Sequence, residues 1–402
     1  MPKIKITEID NTSNGSLSVL DNIVYIPGAS EVKEDTPTLY TTVSELKNAL
    51  ATAKKPTAKL IDDGSFKLAK RCIQLGLNVL YQGFAYKKDS TTELDISDAD
   101  WEALSDKALY DIRFLTTGAY ACPTSAMVSC AEKRGDCVAL IDLDQATAKS
   151  GAAKIREYFD GSSTTDDEGN VITTDGKGAS LRSKYASCFV PWFKATLNED
   201  EVSIPGCFGY LFAYARSIQS NPSWYAVAGT FRGTITELSI PDYKFSTADI
   251  EILQGRSSSK EVDLDEEGDN VGCAINPIAY VRGYGYLIWG NRTLLINNGG
   301  TTASSFLNIR NLCSDIKKTM WSAARKYTFE QNSNTLWLNF RYQITPLLDR
   351  MVSGNGIESY TFERVDTTKK ARLAARLSIV PIEGVEDFEL EVYLEDSLEV
   401  VE

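Results

Sequence analysis

The chain has 402 residues, and its 42 Lys and Arg against 55 Asp and Glu give a net charge of −13. It contains no histidine, which excludes Ser-His-Asp and Cys-His catalysis and metal sites built on histidine. Acid–base chemistry by carboxylates or lysine stays open. The acidic balance argues against a nucleic-acid surface as the main function.

Hydropathy and cysteine usage predict a cytoplasmic protein. No apolar run approaches the roughly 18 residues that a membrane span needs, and residues 1–6 lack the apolar stretch of a signal peptide. We expect the eight cysteines to stay reduced. None of them forms a C-x-x-C pair, so we expect no zinc or redox site and no cofactor.

Residues 1–20 are predicted to form an N-terminal arm. Residues 3–9 alternate polar and apolar side chains, which is typical of a strand. The polar stretch 10–16 separates this strand from the rest of the chain. We therefore expect the arm to lie outside the compact body.

Strand and helix patterns alternate over an N-terminal α/β region, 21–98, and a central α/β domain, 99–272. The apolar runs 111–116 and 137–143 are typical of strands buried on both faces of a parallel sheet. The other predicted strands are 22–28, 78–81 and 187–192, and the predicted helices are 43–53, 65–75, 124–133, 146–159 and 206–220. Residues 161–178 are predicted as a surface loop or hairpin, and the polar stretch 255–270 as a boundary.

The pattern changes to α+β in a C-terminal domain, 273–385. Apolar residues three and four positions apart predict an amphipathic helix over 304–327. A second helix is predicted over 334–352, ending at Gly354. The strands predicted after it are 357–365 and 371–381.

Residues 386–402 are predicted to form an acidic C-terminal arm. Its first part alternates apolar and polar residues, as a strand does. The last twenty residues carry nine Asp and Glu and no Lys or Arg, which leaves a net charge of only −4 on the other 382 residues. The body is thus nearly balanced in charge.

Two short motifs offer weak support for a function. Arg134, Gly135 and Asp136 spell a cell-adhesion tripeptide, but they lie at a predicted turn between a helix and a strand. Asp142 and Asp144 end a predicted parallel strand, where ligands often bind. No cluster of partner residues accompanies them, so we favour a structural role.

Three longer strings carry a family resemblance. Residues 222–233 read P-S-W-Y-A-V-A-G-T-F-R-G, residues 275–278 read I-N-P-I, and residues 283–294 read G-Y-G-Y-L-I-W-G-N-R-T-L. They resemble the contractile tail sheath proteins of bacteriophages and related contractile injection systems. The pattern of that family is P-x-x-W-x-A-P-A-G-x-x-R-G, then I-N-x-I and G-x-x-x-W-G-x-R-T-L. Val227 stands where the family often has proline.

The resemblance implies a multi-domain structural subunit without enzymatic activity. Such a subunit polymerises with copies of itself as stacked hexameric rings around an inner tail tube. It then contracts to drive the tube through a bacterial envelope. The resemblance implies assembly in the host cytoplasm, a location in a virion tail, and contacts with the tube, baseplate and tail terminator proteins. It implies no contact with nucleic acid or membrane.

The resemblance also points to three sets of candidate residues. Neighbouring subunits of the family are joined by terminal arms that add strands to each other's sheets, and exposed strand edges favour such pairing. The strand-exchange residues are then Lys3, Ile4, Lys5, Ile6, Phe388, Leu390, Val392 and Leu394. Basic residues of the helix 304–327 would face an acidic tube surface; these are Arg310, Lys317, Lys318 and Arg325. The structural motif residues, whose arginines suit stacking and hydrogen bonding, are Trp224, Arg232, Trp289 and Arg292.

Alternatives stay open at this point. The arms could be edge strands of the chain's own sheet, and the basic helix face could simply be solvated. The whole chain could instead be a carboxylate-dependent enzyme on the central α/β domain, or a non-contractile structural protein of a virion.

Overall fold

The computed structural model describes residues 22–51, 59–165, 171–197, 200–255, 272–297, 302–366, 368 and 371–384. Its helices are α1 (Val43–Ala51), α2 (Gly64–Gln74), α3 (Asp98–Ala103), α4 (Thr124–Arg134), α5 (Gln145–Ala148), α6 (Ala152–Asp160), α7 (Gly206–Ser217), α8 (Gly229–Arg232), α9 (Thr247–Gln254), α10 (Leu307–Lys326) and α11 (Asn334–Ser353). Its strands are β1 (Ile23–Ala29), β2 (Thr38–Tyr40), β3 (Asn78–Phe84), β4 (Phe114–Leu115), β5 (Val138–Ile141), β6 (Ser162–Thr165), β7 (Val171–Thr174), β8 (Ala186–Val190), β9 (Phe193–Leu197), β10 (Asp200–Ile204), β11 (Leu238–Pro241), β12 (Gly272–Cys273), β13 (Asn276–Val281), β14 (Gly285–Ile288), β15 (Ile296–Asn297), β16 (Ile357–Val365) and β17 (Ala374–Pro381).

An eight-stranded sheet forms the centre of the body, with the strand order β14-β13-β8-β5-β4-β1-β3-β2. The six inner strands pair in parallel, and the strands at the two edges, β2 and β14, are antiparallel to their neighbours. This confirms the α/β prediction. The sheet combines strands from the predicted regions 21–98, 99–272 and 273–385.

Helices cover both faces of this sheet. Val24 and Ile26 point to the core that contains α1, α2 and α7, whereas Ile23 and Tyr25 point to the core that contains α3, α4, α6 and α9. Successive residues of a strand face opposite sides, so a strand buried on both faces needs an unbroken apolar run. This is the physical reason for the runs seen in the sequence.

The predicted single helix over 146–159 is wrong in one respect. The structure has two helices, α5 and α6, because Gly151 between them adopts a φ of 93°. Few residues other than glycine tolerate that backbone conformation. The predicted hairpin in 161–178 corresponds to β6 and β7. The three-stranded sheet β10-β9-β11 and the edge strands β2 and β14 did not emerge from the sequence.

A second unit is built from α10, α11, β16 and β17. The apolar side chains of its core are Leu312, Ile316, Ala323, Trp337, Phe340, Ile344, Leu348, Met351, Ile357 and Phe362. The Ser333 hydroxyl accepts a hydrogen bond from Leu336 N and caps the start of α11, which ends at Gly354 as predicted. No helix within the described ranges is long and apolar enough to span a membrane.

Candidate functional site

The hairpin of β16 and β17 presents two strand edges. Its strands pair antiparallel along nearly their whole length, from Ile357 opposite Pro381 to Val365 opposite Ala374. Among the residues that the structure describes, neither outer edge of this hairpin pairs with another strand. An unpaired edge carries free N–H and C=O groups that can accept a further strand.

The two faces of the hairpin differ. Phe362 packs against the core of the C-terminal unit and stands opposite Leu377. On the other face, Glu363 stands opposite Arg376, and both side chains are exposed. Opposite charges at directly opposed positions stabilise an antiparallel pair. The exposed face therefore carries a negative group on β16 and a positive group on β17.

All the residues proposed for strand exchange, in both predicted arms, lie outside the described residues. These are Lys3, Ile4, Lys5, Ile6, Phe388, Leu390, Val392 and Leu394.

Burial of two basic residues of α10 corrects the expectation of a solvent-facing basic helix. Arg310 is 6% exposed and Lys318 is 7% exposed. The ammonium of Lys318 pairs with the carboxylate of Asp111 and donates to Ile112 O at 2.8 Å. Burial lowers the pKa of Lys318, although the Asp111 charge opposes that shift. The charge of Lys318 is neutralised inside the subunit, and Arg310 lies over the ring of Tyr185.

Next to Lys318, α10 also supplies a buried carboxylate to the sheet. Arg113, which immediately precedes β4, forms an ion pair with Asp315, and both side chains are almost fully buried. Ser223 donates a second hydrogen bond to Asp315. Burial would lower the pKa of Arg113, but the carboxylate of Asp315 raises it above its usual value. The sequence analysis did not predict this ion pair. The feature that could have indicated it is that Asp315 is the one acidic residue within the basic helix 304–327.

Lys317 and Arg325 are the two predicted tube-facing residues whose side chains are exposed. Lys317 Nζ donates to Gly135 O at 2.8 Å and approaches Tyr185 Oη at 3.1 Å. The guanidinium of Arg325 stacks over Trp321, 4.7 Å from the ring centroid. Their separation of eight positions places them roughly 80° apart around a helix with 3.6 residues per turn.

One of the predicted structural motif residues, Trp224, joins the body to the C-terminal unit. Trp224 Nε1 donates to Gly354 O at 3.0 Å, at the end of α11. A Cβ atom at Gly356 would lie 2.8 Å from the Trp224 ring. Trp224 therefore fills a slot that two glycines leave open. Arg232 Nε donates to Ala226 O at 2.8 Å.

Arg292 and the I-N-P-I string form one buried cluster. Asn276 Nδ2 donates to Arg292 O at 2.9 Å, and Arg292 N donates to Asn276 Oδ1 at 2.7 Å. The guanidinium of Arg292 lies over the ring of Phe306, 4.4 Å from its centroid. Trp289, by contrast, is exposed. A Cβ at Gly290 would lie 2.8 Å from Asn276 Oδ1. This contact links the two strings, and Asn276, which the sequence indicated only as part of the I-N-P-I string, is the side chain that makes it.

The carboxylates at the end of β5 are used within the fold. Thr117 Oγ1 donates to Asp142 Oδ2 at 2.6 Å, and burial raises the pKa of Asp142 to about 6. Asp144 accepts a hydrogen bond from Thr147 N at 2.9 Å and caps α5. Within the described ranges, no group of three His, Cys, Asp or Glu residues could hold a metal ion.

The chain is similar to solved structures of sheath proteins. No protein-family model and no curated protein sequence matches it. A chain of the PVC sheath complex, from an extracellular contractile injection system in its contracted state, is 14% identical over 98% of both chains, with a TM-score of 0.62. A chain of the contracted helical sheath of the anti-feeding prophage is 12% identical over 98% of this chain and 99% of that one, with a TM-score of 0.61.

A sheath tail protein from Desulfitobacterium hafniense is 7% identical over 95% of this chain and 100% of that one, with a TM-score of 0.52. At these identities the similarity establishes the fold. The chain has the fold of contractile sheath subunits along nearly its whole length, which confirms the fold expected from the sequence resemblance.

Proposed function

We propose that the chain is a structural subunit of a contractile sheath, not an enzyme. It polymerises as stacked hexameric rings around an inner tail tube and contracts to drive that tube through a bacterial envelope. The observation that carries this proposal is the end-to-end match to a sheath chain, which covers 98% of both proteins. Neither a central-domain enzyme nor a non-contractile virion protein is favoured by a comparable observation.

The hairpin β16–β17 is the proposed acceptor for the terminal arms of neighbouring subunits. A two-stranded hairpin is only marginally stable by itself, and both of its long outer edges are unpaired among the described residues. Added strands would bind through main-chain hydrogen bonds. The proposal is that these added strands come from neighbouring subunits, and the deletion described below tests it.

Charge assigns each arm to an edge. The N-terminal arm carries Lys3 and Lys5 and would lie beside β16, next to Glu363. The acidic C-terminal arm, with Glu389 and Glu391, would lie beside β17, next to Arg376. The four strands would then alternate positive, negative, positive and negative across one exposed face, and each neighbouring pair would be attractive.

The inner tube is the proposed partner of α10. Because Arg310 and Lys318 are buried, the exposed cations Lys317 and Arg325 are the candidates for an electrostatic contact with an acidic tube surface. Such a contact between exposed charges is weak and sensitive to salt, so it can release when the sheath moves. Baseplate and terminator proteins are the proposed partners at the two ends.

Contraction in this proposal needs no nucleotide. Assembly would trap the subunits in a high-energy arrangement, and rigid-body rotation about the arms would release it. The assembled sheath would belong to a virion tail or to a phage-derived injection device, put together in the host cytoplasm.

Electron microscopy of the purified chain tests the sheath role. We expect hollow, striated tubes at high protein concentration. Discrete particles at every concentration and salt condition, together with hydrolytic activity, would contradict the proposal and support the enzyme.

Deletion of residues 1–12 tests the arm mechanism. We expect a folded monomer, with unchanged circular dichroism, that forms no tubes. A finer pair of variants separates the strand from its linker: Ile4→Asp with Ile6→Asp should block assembly, whereas Ser13→Asp with Ser16→Asp should not. Normal tubes from the deleted protein would refute strand exchange by this arm.

A further inference from the structure

One edge of the eight-stranded sheet carries exposed aromatic side chains. The segment 233–235 runs along the outer side of β14, with a hydrogen bond from Ile288 N to Gly233 O at 2.9 Å. The exposed aromatic residues next to this edge are Phe231, Tyr280, Tyr284 and Trp289. Together with the exposed Arg282, we call them the β14 edge patch.

Two contacts position parts of this patch on the sheet. Phe231 is 92% exposed and lies on α8. A Cβ at Gly233 would lie 2.8 Å from Ile288 O, so the end of α8 packs directly on β14. Tyr280 packs edge-on against Tyr286 across the hairpin of β13 and β14. Rigid aromatic side chains lose little entropy on binding and are typical anchors of protein interfaces.

The charge of this patch has one sign. Residues 222–236 and 276–297 contain no Asp or Glu. Arg282 is exposed at the tip of the β13–β14 hairpin, and Arg232 is partly exposed beside Phe231. A partner surface for this edge would therefore combine exposed apolar side chains with negative charge.

The opposite edge of the same sheet has those properties. Val32 and Leu39 are exposed beside and on β2, the strand at the other end of the sheet. Glu31 and Asp35 are exposed next to them. The segment 30–45 contains four acids and one lysine. We call Glu31, Val32, Asp35 and Leu39 the β2 edge patch.

We propose that the β14 edge patch binds the β2 edge patch of a second copy of this chain. The six inner strands separate the two patches, so one subunit cannot satisfy both within itself. A contact between two different surfaces of identical subunits is head-to-tail, and it generates a ring where the rotation closes. The proposal deepens the sheath role and rests on it: this contact would join subunits within one ring, while the arms join them by strand addition.

Cysteine cross-linking of the full chain tests the contact. Arg282→Cys and Asp35→Cys are placed in separate chains, mixed and oxidised. We expect a disulfide-linked dimer in the mixture and none above the wild-type background from either variant alone. A chain that carries both substitutions should give a series of disulfide-linked oligomers, the largest of which contains as many chains as one ring. A dimer from Arg282→Cys alone would show a symmetric contact of two β14 edges and would overturn the proposal.

Charge insertion provides a second measurement. Tyr284→Glu blocks one patch and Leu39→Glu blocks the other, and each variant should lose ring formation. Their mixture should form pairs and stop, because each pair retains only one intact contact. Leu109→Glu is the matched control, since Leu109 is exposed elsewhere on the body, and it should assemble as the wild type does.

The same samples separate this proposal from the sheath role. If the wild type forms tubes but the mixed cysteine variants give no cross-link, the edge contact is overturned and the sheath role stands. If the variants cross-link but the wild type forms no tubes, the sheath role is overturned and the edge contact stands. If both tubes and cross-link are absent, both proposals are overturned.

Discussion

At the scale of single residues, Asp142 shows how burial changes the chemistry of a side chain. It ends a parallel strand, and burial raises the pKa of Asp142 to about 6, while hydrogen bonds from Cys207 and Thr117 oppose the shift. The usual pKa of Asp in an unfolded chain is about 3.9. The folded state therefore binds this proton more tightly. The stability that it confers is present at low pH and is lost as the pH rises through about 6.

We expect Asp142→Asn to remove this pH dependence. Between about pH 4 and pH 7.5, the wild type should lose on the order of 1–3 kcal/mol more stability than the variant. Urea unfolding midpoints at the two pH values measure it.

Asp144→Asn is the matched control for that change. Partial burial would raise the pKa of Asp144, but hydrogen bonds from Thr147 lower it. Its contribution to stability is lost as the pH falls, so this variant should change the pH dependence in the opposite direction. An Asp142→Asn variant with the wild-type pH dependence would refute the assignment.

The buried charges on α10 mark the limit of sequence reading at this scale. The apolar spacing of the helix predicted its core face correctly, since Leu312 and Ile316 lie in the core. The same pattern treats every lysine and arginine as polar and exposed. Lys318 is buried because Asp111 lies opposite it, 207 positions away in the chain. No local pattern contains that partner.

At the scale of secondary structure elements, length decides what can be predicted. The structure confirms α10, α11 and β16 within a few residues, because long periodic segments carry a strong signal. β2 has three residues and β14 has four, which is too short for a periodic pattern to predict, and each lies against one neighbouring strand at an edge of the sheet. The hairpin β16–β17 was predicted as two strands. Its exposed pair of opposite charges, Glu363 and Arg376, could be identified only from the pairing register in the structure.

We expect the charge pair on the hairpin to control assembly. The double variant Glu363→Lys with Arg376→Glu exchanges the two charges. It preserves the attraction within the hairpin, but each strand of the hairpin then repels the arm that is proposed to lie beside it. With about 0.2–1 kcal/mol for each cross-strand pair, the critical concentration for tube formation should rise about tenfold. Light scattering against protein concentration measures it.

Compensating changes in the arms test that explanation. Lys3→Glu and Lys5→Glu with Glu389→Lys and Glu391→Lys should restore tube formation in the exchanged protein. The same four changes in the wild-type background should impair it. If the arm changes make no difference in either background, the assignment of arms to edges is wrong.

At the scale of the whole molecule, the sequence indicated the alternation of strands and helices but not the order of strands. β1 lies between β3 and β4, and β13 joins the sheet beside β8 after a separation of more than eighty residues. Pairing at such distances depends on the complete core. The family resemblance supplied the global expectation that local periodicity could not.

We expect the contact with the tube to depend on charge. Lys317→Glu with Arg325→Glu should abolish co-assembly with the tube protein while free sheath tubes still form. Raising the salt should weaken co-assembly of the wild type in the same way. Arg341→Glu, an exposed charge reversal on α11, should leave co-sedimentation with tubes unchanged. Unchanged co-sedimentation of the first variant would exclude these residues as the contact.

The ion pair between Arg113 and Asp315 also constrains the order in which the molecule can mature on the ribosome. Arg113 is in place once the first third of the chain has been synthesised, yet its countercharge arrives some 200 positions later, together with Lys318 for Asp111. A buried charge without its partner is strongly destabilising. We therefore expect the body to close around Arg113 only after α10 has emerged from the ribosome, and a translation product that ends before Asp315 to be less stable than the full chain.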